Sequence, residues 1–402
     1  MIRKPQEQEQ SIWLDYPGRD LVRSDELTNL VQSGKMHGVT TEALCPGGQD
    51  ARATPDPNHG NPLHAMRTAF IAEVRMLADI LYPSYIRTRR REGYVSVPLD
   101  PAVASDTEAI LAEARRLWSE IARKNLLLAI PATDAGIPAI STLVAEGINV
   151  NATMLFTPRK YEQAALGYME GLEKFAASDN SNICNEKEPE DGESTSPRSL
   201  ARIPHVAGIA SFLLSPIDTA IDTIISSHLN QCGLIKTYSA LEREALRGLV
   251  GKAAIASAKA AYGRFQAIFS GPRWEALVAM GAQKQRLLWA GTTVENLAYR
   301  ETRYLDALGE PNTIMSISPA LLAAYTQHAE QGPSRKSGWP SRSSRSPDSP
   351  HEYANNASVV LSELKKLHIS LDEIAERLLS SRLKRQADAC ADTSSRFPGL
   401  RG

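Results

Sequence analysis

Three polar side chains lie within short apolar segments of this sequence, where they could move protons. Asp15 lies in Ser11–Tyr16, and Asn151 and Thr153 lie in Ile148–Phe156. Residues two apart on a strand point to the same face, so Asn151 and Thr153 should share one interior. A buried carboxylate without a partner is costly, which favours a function for Asp15 over a passive place in the core.

The elements that would hold these residues alternate between strands and amphipathic helices. Six further apolar segments predict strands: Gly38–Thr40, Tyr94–Val97, Leu126–Ile130, Val206–Leu213, Leu287–Ala290 and Thr313–Ile317. Strands that alternate with helices require a parallel sheet, because each helix returns the chain to the same end. Eight such units predict an α/β fold of the (β/α)8 TIM barrel class. The rival, an open doubly wound sheet, has no GxGxxG or GxxxxGK[ST] loop to support it.

Local signals predict where several helices begin and end. Ser105 and Glu108 have the spacing of a capping box at a helix start. Thr157 followed by Pro158 predicts an N-cap with proline in the first turn. Gly147 predicts a helix end, because glycine adopts the left-handed conformation at little cost.

Composition limits the class of protein. Of 402 residues, 42% are hydrophobic and 23% charged, and the net charge of −1 gives no field that would attract nucleic acid or an anionic membrane. The polar start of the chain and the lack of a long apolar run predict a cytoplasmic protein without a signal peptide or membrane span. The four cysteines show no metal-binding spacing, and Cys45 and Cys232 are expected to be buried thiols in a reduced compartment.

Two segments interrupt the alternation. Residues 178–202 carry an acidic run among Ser, Asn and Pro, which predicts a disordered surface insertion. Residues 332–350 are basic and rich in Ser and Pro, which predicts a flexible loop. Apolar spacing over 355–392 predicts C-terminal helices that pack on a single barrel spanning 1–402.

Six ordered segments resemble those of bacterial transaldolases, from about residue 11 to residue 392. They read SIWLDY from 11, GYVSV from 93, NLLLAIPATDAGIPAI from 125, EGINVNATMLF from 146, VAGIASFLLSPIDTAID from 206 and LLWAGTTVENLAY from 287. The resemblance implies a barrel of the class I aldolase type. It also implies, for ordinary members, a lysine on the fourth strand that forms a Schiff base with a ketose phosphate.

Part of the family's site is retained in this sequence. The resemblance implies an acid/base role for Asp15, with Asn151 and Thr153 beside it on the fifth strand. It implies substrate contacts for three hydroxyl residues on later segments: Thr133, Ser211 and Thr292.

The departures from the family pattern concern the chemistry itself. Ala129 stands where the family has its lysine, just before Ile-Pro-Ala-Thr, and an alanine has no nucleophile. The next lysine along the chain, Lys160, is expected to be a solvated charge on a helix. Five more positions differ: Glu42 for an asparagine, Pro98 for a glutamate, Pro216 for an arginine, Gly291 for a serine and Glu295 for a basic residue. Together the exchanges make the predicted mouth roughly four charges more negative, which should repel a sugar phosphate.

Three functional hypotheses follow. The first is a repurposed acid/base enzyme that uses Asp15, Glu42 and Glu295 with Asn151 and Thr153 on a small molecule without phosphate, as in a natural-product pathway. It needs no cofactor, although a variant places a divalent metal among the three carboxylates. The second is a non-catalytic homologue (a pseudoenzyme) that binds a ligand or partner. The third is a pentose phosphate transaldolase by homology that uses another amine. The pattern leaves open whether the protein is a monomer or a homodimer.

Overall fold

The computed structural model describes residues 10–15, 25–41, 62–178, 203, 206–230, 238–296, 298–323 and 350–395, apart from the side chains of 62–66, 350–356 and 391–395. Glu42 lies outside the described residues. So do Cys45, Cys232 and nearly all of the two predicted insertions.

Eight parallel strands close into a barrel in the order in which they occur in the chain. They are β1 Ser11–Asp15, β2 Gly38–Thr40, β3 Tyr94–Pro98, β4 Leu126–Pro131, β5 Val150–Leu155, β6 Gly208–Leu213, β7 Arg286–Ala290 and β8 Ile314–Ile317. Each of the eight predicted strands is therefore present, with ends that differ by at most two residues. The closed, all-parallel sheet confirms the (β/α)8 class.

Helices surround the barrel on its outer face. They are α1 Asp25–Gln32, α2 Pro62–Arg87, α3 Thr107–Ile121, α4 Gly136–Ala145, α5 Pro158–Ala177, α6 Ser215–Asn230, α7 Ala240–Leu249, α8 Ala253–Ile268, α9 Pro272–Ala279, α10 Arg303–Ala307, α11 Pro350–Lys366 and α12 Leu371–Ser395. A short 3-10 helix, Pro101–Val103, follows β3.

Alternate residues along each strand face the helices or the barrel interior. Val95 and Val97 of β3 belong to the large core between strands and helices. A separate interior cluster lies inside the barrel and includes Trp13, Tyr94, Leu127, Ile209, Leu288 and Ile314. The period of two thus assigns an inward direction to Asp15, Ser96, Ala129, Asn151 and Ser211.

The local signals have mixed outcomes. Thr157 caps α5 by accepting a hydrogen bond from the Lys160 amide, and Gly147 has a φ of 81° after α4, as predicted. The predicted capping box of Ser105 and Glu108 is wrong. Asp106 is the N-cap of α3 and accepts a hydrogen bond from the Ala109 amide, because its carboxylate stands one residue nearer to the first turn.

The last two helices pack on different parts of the barrel's surroundings. Helix α11 lies against α8, whereas α12 contacts both the 3-10 helix and α6. Leu364, Leu367 and Ile374 of the predicted apolar stripe are buried, but Val359 is 55% exposed. Cys390 on α12 is disulfide-bonded.

The N-terminal end of the barrel is sealed by a buried ion pair. Arg286 Nη1 of β7 lies 2.8 Å from Glu92 Oε1, and both side chains are almost fully buried. Ser11 Oγ donates to the same carboxylate at 2.5 Å, and Arg286 Nη2 donates to the Thr313 carbonyl at 3.0 Å. His37 lies beside this group, where burial lowers its pKa.

None of the helices in the described ranges combines the length and the apolar character that a membrane span requires.

Candidate active site

Asp15 lies at the C-terminal end of β1, on the face where barrel enzymes carry their catalytic groups. Thr40, its register partner at the end of β2, donates a hydrogen bond of 2.5 Å from Oγ1 to Asp15 Oδ1. The carboxylate is exposed, so the expectation that it would be buried and unpaired is wrong. An exposed carboxylate fixed by one hydroxyl keeps its other oxygen available for a substrate proton.

Asn151 forms the centre of a buried polar network below the mouth. Its Nδ2 donates to Ser96 Oγ at 2.9 Å, and its Oδ1 accepts from Ser211 Oγ at 2.8 Å. The amide therefore joins strands β3, β5 and β6 across the interior. These bonds occupy Asn151 and Ser211 within the protein and hold the floor of the site in one arrangement.

Thr153 lies one level above this network, beside Pro131 of β4. The register of β5 shifts after Ala152, and Met154 has a φ of 59°, so the strand bulges at this point. Thr153 is half-buried, and within the described residues its hydroxyl has no hydrogen-bond partner. The hydroxyl is thus available at the mouth.

Ala129 faces the interior between Pro98 of β3 and Asn151 of β5. Its methyl group is 6% exposed, and none of the eight strands contains a lysine. At the position where the resemblance places a Schiff-base lysine, the barrel wall is therefore apolar.

Two of the predicted substrate hydroxyls are engaged in the protein itself. Thr133 Oγ1 donates to the Ala104 carbonyl at 2.8 Å and accepts from the Gly136 amide at the start of α4. Thr292 Oγ1 donates to the Ser316 carbonyl at 2.6 Å and is buried. Both hydroxyls anchor loops at the mouth.

The predicted carboxylates Glu42 and Glu295 differ in what the structure describes. Glu295 is exposed after β7, and its Oε2 accepts a hydrogen bond of 2.9 Å from Thr219 Oγ1 on α6. Glu42 lies outside the described residues. In the described ranges no group of three or more His, Cys, Asp or Glu side chains is arranged to hold a metal ion, and the metal variant, which needs Glu42, stays a prediction.

Arg382 on α12 is a mouth residue that sequence reasoning missed. Its side chain is half-buried, and burial and the nearby Arg385 lower its pKa, while the carboxylates of Asp15 and Glu295 act in the opposite direction. The roughly four added negative charges predicted for the mouth did not include the guanidinium groups of Arg382 and Arg385. Their two positive charges offset about half of the roughly four negative charges predicted to be added at the mouth.

Lys160 does not have the solvated position that was predicted. It is 7% exposed, and its Nζ lies 2.9 Å from Asp134 Oδ1 and 3.4 Å from Glu376 Oε1. The hydrogen bond from Lys160 also lowers the pKa of Asp134. Because Glu376 belongs to α12, this cation fastens the last helix to the rim.

A cavity of 410 Å³ lies at the rim between α12, the 3-10 helix and the start of α4. Thr133, Asp134 and Lys384 contribute its polar lining. Leu383, Lys384 and Ala387 of α12 form one wall of this cavity.

The resemblance implies phosphate contacts at the positions of Pro216 and Gly291, and neither residue carries a positive charge. Pro216 lies in the first turn of α6, and Gly291 follows β7 with a φ of 61°. The Gly291 carbonyl accepts a hydrogen bond of 3.0 Å from the Ser215 amide, so the two segments lie together. An oxygen-rich dianion would find no guanidinium or ammonium group at these two residues.

Comparison with known proteins agrees with this architecture. The sequence profile described as Transaldolase/Fructose-6-phosphate aldolase matches residues 12–396. The chain is 35% identical over 381 residues to Transaldolase 2 of Nostoc punctiforme, covering 92% of this chain and 89% of that one. It is 32% identical over 391 residues to the transaldolase of Neisseria gonorrhoeae, covering 94% of each. It is also 32% identical over 376 residues to Transaldolase 1 of Streptomyces avermitilis, covering 92% of this chain and 87% of that one. The chain belongs to the transaldolase/fructose-6-phosphate aldolase family.

Proposed function

We propose that this family member is an acid/base enzyme that acts on a small molecule without a phosphate group and forms no lysine adduct. Asp15 is the proton-transfer group, and the site lies at the C-terminal mouth of the barrel. The observation that carries the proposal is the exposed Asp15 carboxylate, held by Thr40 at 2.5 Å at the mouth of a barrel whose inward-facing residue on β4 is Ala129, where the resemblance implies an amine.

The supporting network below Asp15 has the rigidity that proton transfer requires. Asn151 is hydrogen-bonded to both Ser96 and Ser211, so the floor cannot shift without breaking buried bonds. A positioned carboxylate contributes roughly 10²- to 10⁴-fold to such reactions. Reactions of this kind include isomerisation and dehydration, in which a proton leaves carbon and another reaches oxygen.

The lack of an amine among the strands argues against the family's Schiff-base route in this chain. Lys160 is the next lysine along the chain after Ala129, but two carboxylates hold it at the rim. Borohydride with fructose 6-phosphate should therefore leave the protein without a covalent adduct. A trapped adduct on any lysine would support transaldolase chemistry by another amine instead.

The direct test measures proton exchange at carbon. Unphosphorylated ketoses and aldoses are incubated with the protein in D2O, and deuterium incorporation beside the carbonyl is followed by NMR. We expect exchange above the buffer rate, and a loss of about 10²-fold or more in Asp15→Asn. The matched control is Asp79→Asn, which removes a carboxylate that pairs with Arg123 on the outer surface. Equal exchange in Asp15→Asn and the wild type would refute the role of Asp15.

A second candidate function is ligand or partner binding without catalysis. The observation that favours it is that Thr133, Thr292 and Glu295 each form a hydrogen bond within the protein. In that case thermal shifts with small molecules would be measurable, but no substrate in the panel would exchange a proton.

A further inference from the structure

Helix α12 carries a cation across the mouth of the barrel. It contacts the 3-10 helix that follows β3 and helix α6 that follows β6, so it spans from one side of the barrel to the other. Arg382 lies on this helix, half-buried, within electrostatic range of Asp15 below and Glu295 at the rim. Its guanidinium group therefore belongs to the same space as the proton-transfer carboxylate.

Arg382 has no direct partner among the residues that the structure describes. Neither a hydrogen bond nor an ion pair joins it to them. By contrast, the buried Arg286 is bonded to Glu92 and to the Thr313 carbonyl. A guanidinium group that is partly removed from water has donors that need acceptors, and its planar fork fits a carboxylate with two parallel hydrogen bonds.

The charges around Arg382 limit the ligand that would supply those acceptors. Arg385 lies near it on the helix, and Asp15 and Glu295 lie on the barrel side. The formal charges of these four described groups sum to zero. A single additional negative charge on the guanidinium groups is accommodated, whereas a phosphate group of about −1.5 to −2 meets the two carboxylates at greater cost.

Unused hydroxyl groups on the barrel side indicate the rest of the ligand. Within the described residues, the hydroxyls of Thr153 and Ser316 have no hydrogen-bond partner, and Ser316 is buried on an inward-facing position of β8. Thr40 Oγ1 donates to Asp15 and can still accept a hydrogen bond. These three groups would bond to the hydroxyls of a polyol chain.

We infer that the substrate is a polyhydroxylated monocarboxylic acid whose carboxylate binds Arg382, with Arg385 beside it. This inference deepens the proposed function, since it assigns the substrate class of the same mouth. Arg382 sets specificity and Asp15 transfers the proton, so binding and chemistry depend on different residues.

The experiment uses three probes with the same six-carbon body: gluconate, glucitol and glucitol 6-phosphate. Isothermal titration of the full chain measures each Kd. We expect gluconate to bind at least tenfold tighter than glucitol, and tighter than glucitol 6-phosphate. In Arg382→Gln the preference for gluconate over glucitol should fall at least tenfold, while glucitol binding stays the same.

The matched control is Arg377→Gln on the same helix, because Arg377 is exposed and pairs with Glu373 at 3.9 Å. It should bind all three probes like the wild type, which also shows that changing a charge on α12 leaves the mouth intact. The inference is overturned if gluconate binds no tighter than glucitol, if the phosphate probe binds tightest, or if Arg382→Gln keeps the preference.

Asp15→Asn separates this inference from the proposed function. The variant removes a negative charge that faces Arg382, so gluconate should bind equally or more tightly. If Asp15→Asn retains proton exchange while Arg382→Gln loses the gluconate preference, the acid/base role fails and the assignment of the anion site stands. Weaker gluconate binding in Asp15→Asn would contradict the opposing charges assigned to the mouth.

Discussion

The two ends of this barrel use charged residues in opposite ways. At the N-terminal end, Arg286 and Glu92 are buried together and bonded to Ser11 and Thr313. At the C-terminal end, Asp15 is exposed and Arg382 is half-buried without a direct partner among the described residues. At one end the charged groups are paired inside the protein, and at the other they remain at least partly exposed.

This difference indicates which end of a barrel can vary in its side chains while the fold is kept. The ion pair of Arg286 and Glu92 and its hydrogen bonds link β1, β3, β7 and β8 at the N-terminal end. A substitution of one partner there must therefore be compensated by a substitution of the other. Groups at the C-terminal mouth contact mostly solvent, loops and the last helix. Residues at the mouth, such as Ala129 and Arg382, can therefore vary while the closed sheet beneath is kept.

The largest stability effect is expected where the sealed end is opened. Glu92→Leu leaves Arg286 buried without its carboxylate, because the two side chains are both under a tenth exposed. Removing one partner of a buried pair costs about 3–5 kcal/mol. Chemical denaturation monitored by circular dichroism should show this loss of unfolding free energy.

Two comparisons sharpen that result. The double variant Glu92→Leu with Arg286→Met should recover most of the stability, since no buried charge remains unpaired. The surface pair is the matched control: Asp79→Asn breaks the bond to Arg123 and should cost less than about 1 kcal/mol. If Glu92→Leu and Asp79→Asn destabilise equally, the buried and the surface ion pair do not differ in their contribution to stability.

The middle of the barrel should behave more like the sealed end than like the mouth. Asn151→Ala removes the hub between Ser96 and Ser211 and leaves their buried hydroxyls without these bonds. The expected loss of unfolding free energy is about 1–3 kcal/mol. The exposed Asn230, at the end of α6, gives the matched control Asn230→Ala, which should change stability by less than about 0.5 kcal/mol. Equal effects would mean that the network contributes little.

The strands were predictable from sequence because their signal is local. Short apolar segments bounded by polar residues mark all eight, and the period of two correctly placed Asn151 inside. The helix start near residue 106 failed by one residue, because Ser105 and Asp106 are both good N-caps and only the backbone geometry chooses between them.

The mouth was less predictable because its charges come from distant parts of the chain. Lys160 pairs with Glu376, more than 200 residues away in sequence. Arg382 lies within electrostatic range of Asp15, more than 350 residues away. From the sequence alone, an arginine on an amphipathic helix cannot be distinguished from a solvated surface arginine. Its position depends on how the helix packs on the barrel. Exposure of Asp15 likewise depends on how the loops around it are arranged, which residue type does not reveal.

His37 provides the smallest effect and tests whether the sealed end excludes protons. Burial is the main cause that lowers its pKa. Arg286 and Arg87 lower it further, and Glu92 opposes them. In the unfolded chain a histidine titrates near pH 6.5, so below that pH the unfolded state binds the extra proton first. Stability should then fall as the pH drops from about 7.5 to about 5.5, with a contribution below about 1.4 kcal/mol per unit. His37→Asn keeps an acceptor for the Ile12 amide but cannot titrate, so its unfolding free energy should fall less over the same range. Parallel pH profiles for the two proteins would show that water reaches His37 and that this end of the barrel is open.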